Sequence, residues 1–351
     1  MKFGKSFCCK TKEGEDIYLY TLRNSHNTEV LISNYGCIIN AIKFHTSNEE
    51  IIDIVLGFDT MEDYLDEKYL EKYPYFGAAI GRYANRIGDA SFTIDDVRYD
   101  VTKTHKNFQL HGGKEGFDRK IWEMISFDED RHTIEFQYLS KDGEEGFPGN
   151  ALINLRYELN DLNELSYTYT ATTDKPTAIN LTHHSYFNLN NGVGNILDHE
   201  LLINSSQILE QDKDRVSTGK ILDIKGSAFD FSKQSAISKK MDKSDGIDHS
   251  YLINRQEDEN LSLAAQVYSP NSNLLLEVLT SEPIVHFYAG NGIPPVTGKR
   301  GQVYGDYSGL CLETHIHPNA INIPHFPGTV LRPGETYYNK TLYRLSELVA
   351  K

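Results

Sequence analysis

The chain has 351 residues, 39% of them hydrophobic and 24% charged, a mixture that fits a globular protein and excludes a disordered or fibrous one. Lys and Arg total 35 against 50 for Asp and Glu, a formal net charge of -15 that opposes binding to nucleic acid or to an anionic membrane surface. The cysteines, Cys8, Cys9, Cys37 and Cys311, have no CxxC spacing, which excludes a disulfide framework and a cysteine-rich zinc site and fits a reducing compartment.

In chain order, the N-terminal MKFGKSFCCKTKEGED carries lysines but no apolar core of a secretion signal, so a cytoplasmic protein is expected. Ile17, Leu19 and Thr21 then alternate with Tyr18 and Tyr20, the period of a half-buried strand. The apolar run from Ile51 to Phe58 is interrupted by Asp53 and is too short to cross a bilayer. Residues Met61 to Lys72 read as the one convincing helix. Phe92 and Ile94, then Val97, Tyr99 and Val101, flank Asp95-Asp96, a hairpin signal. Strands are expected over Thr133 to Leu139, Ala151 to Leu159 and Glu164 to Ala171, with turns at Lys141-Asp142-Gly143 and Phe147-Pro148-Gly149-Asn150. Further strands are expected over Ser262 to Tyr268, Leu274 to Leu279 and Leu310 to Thr314. With so little helix between strands, the expected fold is all-β, a large antiparallel β-sandwich. No linker or repeat divides the chain, so one domain over residues 1–351 is expected.

Four segments carry residues suited to chemistry. GRYANRI, from Gly81 to Ile87, joins an Asn and two Arg, whose planar donors suit a polyol. LHGG, from Leu110 to Gly113, places a histidine beside two glycines that would let backbone approach a ligand. INLTHHSYFNL holds His183 and His184, which as strand neighbours face opposite sides, so that one is structural; the other is the best proton donor in the chain. LETHIHPNAINIP places Glu313, His315 and His317 on one strand face, which invites a cupin-like metal reading, although Pro318 ends the strand. The alternative is a buried Glu opposite a histidine, a general base and general acid acting on two oxygens of one substrate.

Taken in order, GRYANRI, LHGG with GFD and Trp122, DGEEGFPGN, NLTHHSYFNL, GIDHSYLI, HFYAGN and LCLETHIHPNAINIP with LRPGE closely resemble the aldose 1-epimerase (galactose mutarotase) family over about Asp16 to Arg344. The resemblance implies a β-sandwich with an open sugar cleft, a small monosaccharide as partner, no cofactor and no metal, and interconversion of hexose anomers. It implies His184 as general acid and Glu313 as general base, with Asn85, Arg86, His111 and Asp248 binding sugar hydroxyls and Tyr186 in support. Two positions depart from the family pattern: His286 stands where glutamine is common and is expected to alter contacts to a sugar hydroxyl, and His183 stands where asparagine is common and is expected to change packing only. Competing readings are an epimerase of a reducing disaccharide, a phosphosugar epimerase, which would want a basic cluster, and a non-catalytic sugar-binding protein.

Overall fold

A computed structural model describes residues 4–241, 246–255 and 259–348. The alternation read along the chain becomes pairing: along Ala151–Leu159 every second residue is buried, and this strand pairs antiparallel with Thr133–Ser140 on one side and Glu164–Thr173 on the other. These strands belong to a nine-stranded sheet in the order Glu123–Asp128, Thr133–Ser140, Ala151–Leu159, Glu164–Thr173, Tyr337–Glu347, Leu274–Thr280, Ser262–Tyr268, Glu200–Ile203 and Ser235–Ala236. A six-stranded sheet runs Tyr186–Phe187, Leu310–His315, Ile284–Tyr288, Asp248–Ile253, Ser205–Gln211 and Ser217–Asp223. The first five strands, from Gly4–Lys10 to Ile51–Asp53, form a third sheet in sequence order.

One apolar cluster joins the three sheets. Phe136, Leu155 and Tyr169 of the large sheet meet Val285, Phe287, Leu310 and Leu312 of the six-stranded sheet, and Ile32, Ile39 and Ile42 of the N-terminal sheet close the same core. Two of its tyrosines bury their rings and keep their hydroxyls paired: Tyr157 donates to the Cys37 carbonyl at 2.8 Å, and the Tyr167 and Thr314 hydroxyls lie 3.1 Å apart. The expected hairpin is present, with Ser91–Ile94 paired to Val97–Asp100. Asp95 and Asp96 sit at φ 49° and 63°, the left-handed pair that a tight right-twisted hairpin requires.

Two expectations change. Residues Met61 to Lys72 form not one helix but a 3-10 turn at Glu62–Leu65 and a short α-helix at Glu67–Glu71. Between them Asp66 is extended, and its carboxylate caps the Lys68 and Tyr69 N–H groups, a stronger local use of an aspartate than a helix interior offers. The segment around His183 and His184 is strand only over Thr182–His183 and Tyr186–Phe187, which pair with different partners. His184 lies between them.

Candidate active site

The cleft is built on the outward face of the six-stranded sheet. Leu310, Leu312 and Thr314 point into the core, so the period of two sends Cys311, Glu313 and His315 the other way. Register then places Ser250 opposite His286 and His286 opposite Glu313, one row across three strands. The next row holds Asp248, Tyr288, Cys311 and Tyr186. Residues far apart in sequence thus share a floor a few ångströms across.

The facing wall comes from loops. Asn85 and His111 are left-handed, at φ 61° and 51°, conformations that a non-glycine residue keeps only when its surroundings hold it. They lock each other: the His111 N–H donates to the Asn85 carbonyl at 3.0 Å, and the Asn85 N–H reaches His111 Nδ1 at 3.4 Å. Neutral His111 therefore presents an N–H at Nε2 toward the cleft. The Asn85 side chain accepts from the Arg86 N–H through Oδ1 at 2.9 Å, which leaves its NH₂ group to donate. Arg86 Nε is buried without a partner. His184 is fixed by two backbone hydrogen bonds, its N–H to the Ala78 carbonyl at 2.9 Å and its carbonyl from the Gly77 N–H at 3.0 Å.

All eight residues named from the sequence, Asn85, Arg86, His111, His184, Tyr186, Asp248, His286 and Glu313, line one open cleft. His184 Nε2 lies 3.5 Å from Glu313 Oε1, while Glu313 Oε2 is buried without a partner. Asp248 is gripped on both oxygens, by His286 Nε2 at 2.6 Å and by Arg215. Sequence reading missed Tyr75, Tyr288 and Arg215, which also line the cleft. Tyr288 was legible in HFYAGN, whereas nothing local ties Arg215 to an aspartate thirty-odd residues on.

Other expectations are redirected. Of the two arginines in GRYANRI only Arg86 faces the cleft; Arg82 is buried and donates to the Ser140, Pro148 and Gly149 carbonyls and to Thr177. The Gly112 backbone approaches protein rather than a ligand, since a Cβ there would lie 2.0 Å from the Gly81 carbonyl oxygen. Glu313 and His315 share a face, but His315 Nδ1 donates to the Ile316 carbonyl at 2.6 Å and its ring stacks on His286. His317 lies past the strand end against Phe326. The metal-type grouping in the cleft is instead His111, His184 and Glu313, whose ligand atoms lie within 4.8 Å of one another. The N–H that His111 presents there suits a hydroxyl better than a cation. His183 points away from the cleft, with Nε2 3.0 Å from the Tyr157 hydroxyl.

Burial governs the charges. It pushes the Glu313 carboxyl well above the usual carboxylate range, helped by Asp248 and opposed by Arg86, and pulls the His184 imidazole down to about 3. Asp248 goes the other way: burial would raise it, but His286, Arg86 and Arg215 hold it well below the usual range. Burial thus favours the neutral forms of Glu313 and His184, with the pair's proton on the carboxyl, while its cationic neighbours keep Asp248 a carboxylate.

The aldose 1-epimerase family profile matches residues 18–344. The galactose mutarotase of Sus scrofa is 39% identical over 328 residues, 92% of each chain. The aldose 1-epimerase of Escherichia coli K12 is 33% identical over 340 residues, 95% of this chain and 96% of its own. Among solved structures, an aldose epimerase homologue from C. elegans superposes with a TM-score of 0.86 at 26% identity, covering 99% of this chain and 100% of that one. With the sandwich, the cleft and the sequence all in agreement along nearly the whole chain, this protein belongs to the aldose 1-epimerase family.

Proposed function

We propose that the protein is a mutarotase, an isomerase that interconverts the α and β anomers of free hexoses such as galactose and glucose without a cofactor, with the whole chain serving as one catalytic unit in the cytoplasm. The observation that carries this reading is the 3.5 Å contact of His184 with Glu313 at the base of a cleft lined by hydroxyl-binding groups. Glu313 removes the proton of the C1 hydroxyl while His184 gives one to the ring oxygen; the C1 to ring-oxygen bond breaks, the C1 to C2 bond turns, and the same transfers run backwards on closure. Asn85, Arg86, His111 and Asp248 hold the remaining hydroxyls, so the reacting atoms stay within hydrogen-bonding reach.

The reactive arrangement, a carboxylate and an imidazolium, has the same proton count as the resting pair. A sugar hydroxyl donating to Glu313 Oε2, which has no partner in the protein, and the Arg86 charge that already lowers this carboxyl, both favour moving the proton to His184. Polarimetry on freshly dissolved α-D-glucose, α-D-galactose and maltose tests the reading. Acceleration with maltose alone would favour the disaccharide enzyme, and sugar binding without acceleration would favour a binding protein.

His286 acts through Asp248. Both its ring nitrogens are already engaged, Nε2 by Asp248 and Nδ1 by the Ser250 hydroxyl at 2.8 Å. His286→Gln is therefore expected to raise KM by about 2- to 10-fold, the worth of one hydrogen bond, and to shift the glucose to galactose ratio modestly while retaining kcat. Loss of turnover on every sugar would mean that His286 itself moves a proton.

Prolonged EDTA treatment is expected to leave the polarimetric rate unchanged, because a carboxyl and imidazole pair needs no Lewis acid. A stoichiometric transition metal in the purified protein, with activity lost on its removal and restored on its return, would replace this mechanism by a metal-assisted one at His111, His184 and Glu313.

A further inference from the structure

The His184 imidazole stacks with two tyrosine rings, Tyr75 with centroids 5.6 Å apart and planes at 25°, and Tyr186 at 5.0 Å and 24°. Its edge is held as well: Nδ1 lies 3.5 Å from Cys311 Sγ and Nε2 3.5 Å from Glu313 Oε1, two residues on the same face of one strand. Tyr75, like His184 itself, lies outside regular structure, and its backbone is left-handed at φ 62°, a conformation that a bulky side chain rarely adopts. The turn that imposes it is the turn that grips His184. The Ala78 N–H closes it onto the Tyr75 carbonyl at 3.1 Å, and Gly77 and Ala78 make the two backbone hydrogen bonds to His184. Gly77 is itself fixed at φ 67°, where a Cβ would lie 2.4 Å from the Ile39 carbonyl oxygen. Ring and backbone of the proton donor are thus set by one strained turn.

We propose that Tyr75 is a positioning residue for His184: with Tyr186 it fixes the plane of the imidazole and, when the ring carries the proton, stabilises the cation against the stacked aromatic rings. The inference rests on the reading of His184 as general acid. Aromatic faces attract a desolvated cation and leave a neutral ring almost unaffected, so the benefit falls on the reactive arrangement of the pair rather than on the resting one. The ionisable groups that face His184 are Glu313 and Cys311 from the strand, His111 and Tyr75 from loops, and Tyr186, with Asp248 and His286 next in the sheet. In the reactive arrangement Glu313 supplies the counter-charge at the ring edge, 3.5 Å away, and the two tyrosine rings add contacts to the imidazole beside it.

The test compares Tyr75→Leu with Tyr75→Phe in the full chain, by polarimetry and by NMR of ring-labelled histidine, the His184 signal being identified by its loss in His184→Asn. Tyr75→Leu is expected to lower kcat by about 5- to 30-fold with KM within about 3-fold, and to shift the His184 ring resonances and the pH dependence of kcat. Tyr75→Phe, which keeps the ring, should restore kcat to within about 2-fold of the unmodified protein and leave those resonances in place. If Tyr75→Leu does not fold, Tyr75→Met carries the same expectation. Unchanged kcat and unchanged His184 resonances in the folded leucine or methionine variant would overturn the proposal, as would a phenylalanine variant as damaged as the leucine one, since the hydroxyl would then be the working group. Should His184→Asn itself retain full activity, the acid assignment fails; the NMR comparison still decides whether Tyr75 positions the ring.

Discussion

Glu313→Gln is expected to lower kcat by about 10² to 10⁴-fold, the usual worth of a positioned acid or base, with sugar affinity little changed. The amide keeps the shape of the carboxyl but cannot take the C1 hydroxyl proton. His184→Asn should fall by a similar factor, because it keeps a donor that cannot deliver a proton to the ring oxygen. Both transfers belong to one opening step, so the double variant should be little worse than the more damaged single one. The pH dependence follows from burial. With His184 drawn down to about 3 and Glu313 raised, the free pair keeps its single proton between those two values: below the lower it gains a second, and above the upper it has none. The alkaline limb of kcat/KM therefore tracks Glu313; in Glu313→Gln the proton left to lose is that of His184, so the limb of the residual activity should move to lower pH. Near-normal kcat in that variant, after correction for spontaneous mutarotation and with folding confirmed, would remove Glu313 from the chemistry and require another base.

Arg82→Met is expected to cost about 3–5 kcal/mol of stability, since it strips hydrogen bonds from several buried carbonyls at once. Arg82 is 1% exposed. Its guanidinium donates to Ser140 and Lys141 on one side and to Pro148 and Gly149 on the other, so it fastens the loop carrying DGEEGFPGN to the segment carrying Asn85 and Arg86. Lysine cannot replace that fork, and Arg82→Lys should recover little. The neighbouring Arg86→Met should do the reverse, weakening sugar binding with a small effect on unfolding. Urea denaturation checks both, and a loss under about 1 kcal/mol for Arg82→Met, less than a single unsatisfied buried carbonyl is worth, would show that water or local rearrangement satisfies those groups.

The two arginines, four residues apart in one motif, mark the border of what was legible. Both have the donors to bind a polyol, and only packing decides which one does: Arg82 is enclosed by loops that arrive from residues 140–149, and Arg86 is left at the cleft. The adjacent histidines behaved better. Neighbours on an extended chain face opposite ways, which separated His183, bonded to Tyr157, from His184 in the cleft. The HGG glycines were legible as a place of close approach, but the partner is the Gly81 backbone.

By itself the sequence determined the all-β class, the segments that pair, and the faces of the strands, because period two is a local property that each strand carries alone. Its motifs also determined the family and eight of the residues that line the cleft. The tertiary structure alone decided that Ser250, His286 and Glu313 form one row, that Arg215 reaches Asp248, that Tyr75 and Tyr186 stack with His184, and that burial raises the Glu313 carboxyl. Register between strands distant in sequence and the withdrawal of a carboxyl from water depend on every layer packed around them, and no stretch of chain carries that information locally.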